Sequence, residues 1–128
     1  MGFVIVFFGA GLGGAARHGV NLLAGKLFGT GFPVGTLSVN VLGCLAMGII
    51  AEYWALKSGL SQPMRLFLTT GLLGGFTTFS AFSLDIALLW ERGQVVATVV
   101  YAVASVLLSV AALVAGVGLV RLLLHGAA

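Results

Sequence analysis

Apolar residues fill four long stretches of this chain, covering about 3–25, 33–56, 64–90 and 94–124. Each is near or above the ~20 residues that a helix needs to cross the hydrocarbon core of a bilayer. The pattern predicts four spanning helices joined by short connections at 26–32, 57–63 and 91–93. Pro33 is well placed to start the second, and Glu52, Tyr53, Trp54 and Lys57 at its far end make an interfacial anchor. Arg121 and His125 close the fourth. The expected fold class is an all-α membrane protein, one four-helix transmembrane domain over 1–128.

The third stretch reads badly as an ordinary spanning helix. Gly74-Gly75 followed by Thr77-Thr78 combines backbone freedom with β-branched residues, which predicts an interruption there. In hydrocarbon each N–H or C=O freed by such a break costs several kcal/mol unless something satisfies it. Breaks persist where the backbone is buried in protein, lines a wet cavity or coordinates an ion. Phe79 and Phe82 follow immediately, interleaved with the hydroxyls of Ser80 and Ser83, so a polar and aromatic cluster falls at membrane depth. This is the candidate functional centre.

Composition supports a home in lipid. The chain is 60% hydrophobic and 7% charged, with mean hydropathy +1.20, where a soluble domain carries about 25% charged residues. The net charge of +3 comes from isolated Lys and Arg at segment ends, without the basic cluster that nucleic acid requires. Cys44 is alone in an apolar segment and has no intrachain disulfide partner. Met1-Gly2-Phe3 lacks the positive start of a signal peptide, so the first stretch is expected to remain as a span. Val6 stands where myristoylation needs Ser or Thr.

Four spans put both termini and the second connection on one side, with Lys57, Arg65 and Arg121. Lys26, Arg92 and Arg17 fall toward the other. The Lys/Arg bias that normally fixes orientation is therefore about zero. Two oppositely inserted copies would form a dimer with its two-fold axis in the membrane plane. The alternative is that Arg17 snorkels or faces a cavity, which makes the balance a coincidence of small numbers.

Polar residues inside spans are expensive without partners. In the second span Thr36, Asn40, Gly43, Cys44 and Gly48 lie at helical neighbour spacing, forming one small, polar stripe. For the glycines, helix packing is the favoured explanation, as it is for the small pairs Gly9/Gly13 and Ala10/Gly14 in the first span. Asn40 is harder to assign to packing, because its amide offers two donors and an acceptor. In the fourth span Tyr101, Ser105 and Ser109 repeat every four residues, lining one face with hydroxyls. A lone Ser commonly bonds its own backbone; three hydroxyls in register favour a polar path. Aromatic rings carry positive edges, so Phe79 and Phe82 turned edge-on would favour a small anion.

No acidic residue lies in the middle of the first, second or fourth span, which argues against proton-coupled or cation-driven transport. Asp85 and Glu52 sit toward span ends. No metal-ligand spacing, phosphate loop or nucleophile–base set is present. An enzyme is not expected.

Gly35-Thr36-Leu37-Ser38-Val39-Asn40-Val41-Leu42-Gly43, followed by Gly48, and the run from Gly71 to Ser83 closely resemble the signatures of the small fluoride channels, the Fluc/CrcB family. The likeness extends to Gly13-Gly14-Ala15-Ala16-Arg17 and to Tyr101, Ser105 and Ser109, so it spans essentially the whole chain. The resemblance implies a dual-topology, antiparallel homodimer in the bacterial inner membrane, with two antiparallel pores and passive export of fluoride. It places Asn40, Phe79 and Phe82 in the pore lining, with Thr36, Ser80, Tyr101, Ser105 and Ser109 in or beside it. It places Arg17 at an anion-attracting vestibule. It also implies a structural sodium ion at the dimer interface, held by the backbone carbonyls of Gly74 and Thr77 from each copy. Asp85 stands where a Glu is usual, and Ala81, Cys44 and Leu45 where Thr, Ser and Phe are common. Two rivals remain: a small dual-topology multidrug exporter, whose essential first-span Glu is missing here, and a non-conducting membrane assembly subunit.

Overall fold

The computed structural model describes residues 1–57 and 59–125, the last by its backbone only. The four apolar stretches are helical and long enough to cross a membrane, making this a multi-pass membrane protein. Helix α1 runs Gly2–Phe28, α2 Val34–Lys57 and α6 Val95–His125. The third stretch is a succession of pieces: α3 (Gln62–Leu66), a π-helical stretch (Phe67–Leu73), α4 (Gly74–Phe76) and α5 (Phe79–Glu91).

Local chemistry sets the ends. Gly29 (φ 75°) terminates α1, its N–H donating to the Gly25 carbonyl 3.0 Å away. Gly93 (φ 76°) turns the chain between α5 and α6, a left-handed conformation that a Cβ disfavours. Pro33 sits just outside α2, where its carbonyl accepts from Leu37 N at 3.2 Å. Ser61 caps α3, its hydroxyl accepting from Met64 N at 3.3 Å.

The helices associate as two parallel pairs, brought close by glycine. Gly9 of α1 lies against the Phe67 carbonyl and Gly71, and Gly13 against the Leu72 carbonyl and Phe76 N. The order of these contacts means that α1 and the third stretch run the same way. Gly75 abuts Ala10 from the other side of that seam. In the second pair Gly48 meets the Leu113 carbonyl, and Gly116 meets Leu45 and Ile49. Glu52 and Arg121 close one end of that pair, with Nε 3.4 Å from Oε1. With little side chain between them, backbones approach closely, the usual basis of helix association in lipid. Gly14 differs from its neighbours: nothing stands within 4 Å of where its Cβ would be. The Ala10/Gly14 pair therefore contributes through Ala10 alone.

The expected departure from helix at Gly74-Gly75 is displaced. Gly74 is helical (φ −61°, ψ −37°), and the extended residues are Thr77 (φ −85°, ψ 158°) and Thr78 (φ −154°, ψ 123°). Gly75 is needed for its closeness to Ala10, where any Cβ would collide with backbone. The widened π turn upstream was not expected; it faces Gly9 across the tight seam with α1.

Candidate functional site

The extended pair Thr77-Thr78 leaves backbone groups without helical partners, and side chains from two other helices take them up. Asn40 of α2 does so twice: its Nδ2 donates to the Thr78 carbonyl at 3.0 Å, and its Oδ1 accepts from Thr78 N at 2.8 Å. The amide thus pairs with Thr78 as a neighbouring strand residue would. Thr78 in turn caps α5, its Oγ1 accepting from Ala81 N at 3.1 Å. Thr77 Oγ1 donates back to the Leu73 carbonyl at 2.9 Å. Arg17 of α1 donates from Nε to the Gly75 carbonyl at 3.1 Å. Among the described residues no donor reaches the carbonyls of Gly74 and Thr77. These are the two oxygens that the family resemblance assigns to sodium, and unpartnered carbonyls are the donor type that a hard cation takes.

Beside this pair lies a cavity of about 320 Å³ between α2, the start of α5 and α6. Asn40, Phe79, Phe82, Ser105 and Ser109 line it together with Cys44, Thr77 and Thr78, and Val106 and Val110 complete the α6 wall. Five of the eight expected pore residues are therefore neighbours in space. Ser105 is 5% exposed and its hydroxyl has no partner among the described residues, contrary to the common habit of bonding the preceding turn. Asn40 uses one of its two amide protons on Thr78 and retains the other.

Aromatic rings extend from the cavity into the core. Phe79 and Phe82 have centroids 5.5 Å apart and are tilted by 49°. Phe82 meets Tyr101 at 5.2 Å, and Tyr101 meets Phe32 edge-on at 5.5 Å and 83°. The two phenylalanines differ sharply: Phe82 is 8% exposed and Phe79 77%. Phe82 is a packed wall, whereas Phe79 stands open at the rim.

Thr36, Ser80 and Tyr101 are not brought to this cavity. Tyr101 is fully buried behind Phe82 and donates its O–H to Asp85 Oδ2 at 3.0 Å. Thr36 lines a second cavity of about 290 Å³, with Asp85, Asn21, Thr30 and Ala81. Ser80 is exposed, its hydroxyl 3.3 Å from Thr78 Oγ1. Arg17 engages the backbone rather than the cavity lining. Thr78 went unnoticed as a cap, although a Thr directly before an apolar helical run is a cap signal. Asn21 was passed over too, although an amide inside the first span is the same kind of signal as Asn40.

A model of the CrcB-like protein, Camphor Resistance (CrcB) family matches residues 4–117. The chain belongs to the CrcB-like family. It is 60% identical over 126 residues to the fluoride-specific ion channel FluC of Granulibacter bethesdensis, covering 98% of this chain and 99% of that one. The protein named fluoride-specific ion channel FluC 2 of Nitrobacter hamburgensis is 53% identical, over 94% of this chain and 98% of its own. The FluC of Paracoccus denitrificans is 56% identical, over 89% and 90%. Both CrcB-like signature segments come together at the Asn40–Thr78 pair and the cavity beside it.

Proposed function

We propose that this CrcB-like protein is a passive, fluoride-selective channel that exports fluoride from a bacterial cytoplasm across the inner membrane. The observation that carries the proposal is the cavity beside Thr77-Thr78, where unused hydrogen-bond donors and aromatic rings converge at membrane depth. A small, strongly hydrated anion enters such a site only if donors replace its water. The spare Asn40 N–H and the Ser105 and Ser109 hydroxyls are the groups suited to this, with the Phe79 and Phe82 ring edges adding weaker positive surface. The names of the relatives supply fluoride as the anion.

The working unit is an antiparallel homodimer with two pores. In support, Lys and Arg are balanced between the two ends of the bundle. Phe79, 77% exposed at the cavity rim, is a ring that a second copy would cover. Gly74, whose carbonyl has no donor among the described residues, is itself an exposed residue, on a face that a second copy would approach. A sodium ion held by the Gly74 and Thr77 carbonyls of both copies would neutralise oxygens that otherwise lack a donor. Arg17 draws anions toward the pore.

Purified protein in liposomes loaded with potassium fluoride tests the proposal directly. Fluoride release on addition of a potassium ionophore is expected; its absence would remove the channel.

A further inference from the structure

Gly9, Gly13 and Arg17 follow one another at four-residue intervals, and so share one face of α1. The two glycines bring that face against the backbone of the third stretch. One turn further on, Arg17 reaches the Gly75 carbonyl with Nε at 3.1 Å. In a continuous α-helix that carbonyl would accept from the N–H four residues later, Phe79. Here Phe79 opens α5, and the first N–H groups of a helix have no intrahelical acceptor.

We propose that Arg17 is a positioning residue for anion passage. Its Nε–H takes the place of the Phe79 N–H at the Gly75 carbonyl, so that the chain stays extended at Thr77-Thr78 and remains in register with Asn40. The inference rests on the channel function proposed above and adds a second task to a residue otherwise expected only to attract anions.

The guanidinium suits both tasks together. It has five N–H donors in a planar fork, and the contact with Gly75 uses one. The remaining donors have no protein acceptor among the described residues, so the charge stays available to an anion at the same time. A lysine ammonium is a single point on a flexible stem and cannot hold a carbonyl along one edge while presenting another. Arg17 and Asn40 approach from different helices, Arg17 securing the Gly75 carbonyl two residues before the extended pair and Asn40 the carbonyl of Thr78, its second member. Losing either anchor frees the segment that carries Phe79.

Arg17→Lys and Arg17→Gln separate positioning from simple attraction, because the first keeps the charge and the second keeps a neutral donor. Both variants are purified as full chains and checked by size-exclusion elution. Fluoride efflux from liposomes is then recorded across a range of ionic strength, alongside backbone hydrogen exchange over residues 74–82. Positioning predicts that Arg17→Lys loses roughly tenfold in maximal flux, the ratio set by one lost charge-assisted hydrogen bond, yet keeps the wild-type dependence on salt. Exchange over 74–82 rises in both variants. If Arg17→Lys matches wild type in flux and exchange, the guanidinium acts by charge alone and the inference fails. Wild-type protein that passes no fluoride, with faster exchange in both variants, would overturn the channel function and leave the positioning role standing.

Discussion

Asn40 and Thr78 lie 38 positions apart in the chain and exchange two hydrogen bonds, of 3.0 and 2.8 Å. The amide of one helix thereby completes the backbone of another where the latter is extended. At membrane depth few alternatives exist, because lipid offers neither donor nor acceptor. Asn40→Ala should leave the N–H and C=O of Thr78 unpaired and lower stability by about 2–6 kcal/mol, at about 1–3 kcal/mol for each orphaned group. Reversible unfolding in detergent measures this. A loss below about 1 kcal/mol would mean that water already serves these groups.

The ring pair gives an asymmetric expectation. Phe82 is packed against Tyr101 and Phe79 stands open at the cavity rim. Phe82→Ile is expected to cut fluoride flux while leaving assembly intact, since a branched aliphatic keeps the wall apolar but lacks positive ring edges. Phe79→Ile should cut flux with little effect on the stability of a single subunit. Unchanged flux in both variants would reduce the pair to packing.

Tyr101 holds Asp85 through its hydroxyl while its ring is fully buried. Tyr101→Phe keeps the ring and removes the donor, a change of about 1.5–3 kcal/mol for a bond to an ionised group. A double-mutant cycle with Asp85→Ala should recover most of that as coupling between the two sites. Additive single-mutant effects would show that the hydroxyl and the carboxylate act independently.

Adjacent glycines make a sharp control. A Cβ on Gly13 would collide with the Leu72 carbonyl and lie 2.8 Å from Phe76 N, whereas one on Gly14 would meet nothing within 4 Å. Gly13→Ala should therefore cost about 1–3 kcal/mol, the range for overpacking a close contact, and Gly14→Ala should be neutral or slightly stabilising. Equal effects in thermal unfolding would contradict the α1 seam.

Much of the architecture is legible in the sequence because long apolar runs have few alternatives in lipid. The register of small residues is less so: Gly9/Gly13 and Ala10/Gly14 are equivalent as spacing, and only the neighbouring backbone distinguishes them. Gly74-Gly75 looks like the weak point of the third stretch because glycine lowers helix propensity. In three dimensions Gly75 serves close contact with Ala10, and the backbone turns extended two residues later, where Asn40 and Arg17 supply partners to this segment. Those partners come from distant parts of the chain. The hydroxyl row on α6 is visible as periodicity, but not that Ser105 and Ser109 line one cavity while Tyr101 stays out of that lining and gives its hydroxyl to Asp85.

Ion-selective efflux tests the central claim most directly. Purified protein reconstituted alone in liposomes should release fluoride rapidly and retain chloride under the same potassium gradient. Fluoride held inside, or chloride released at an equal rate, would contradict it.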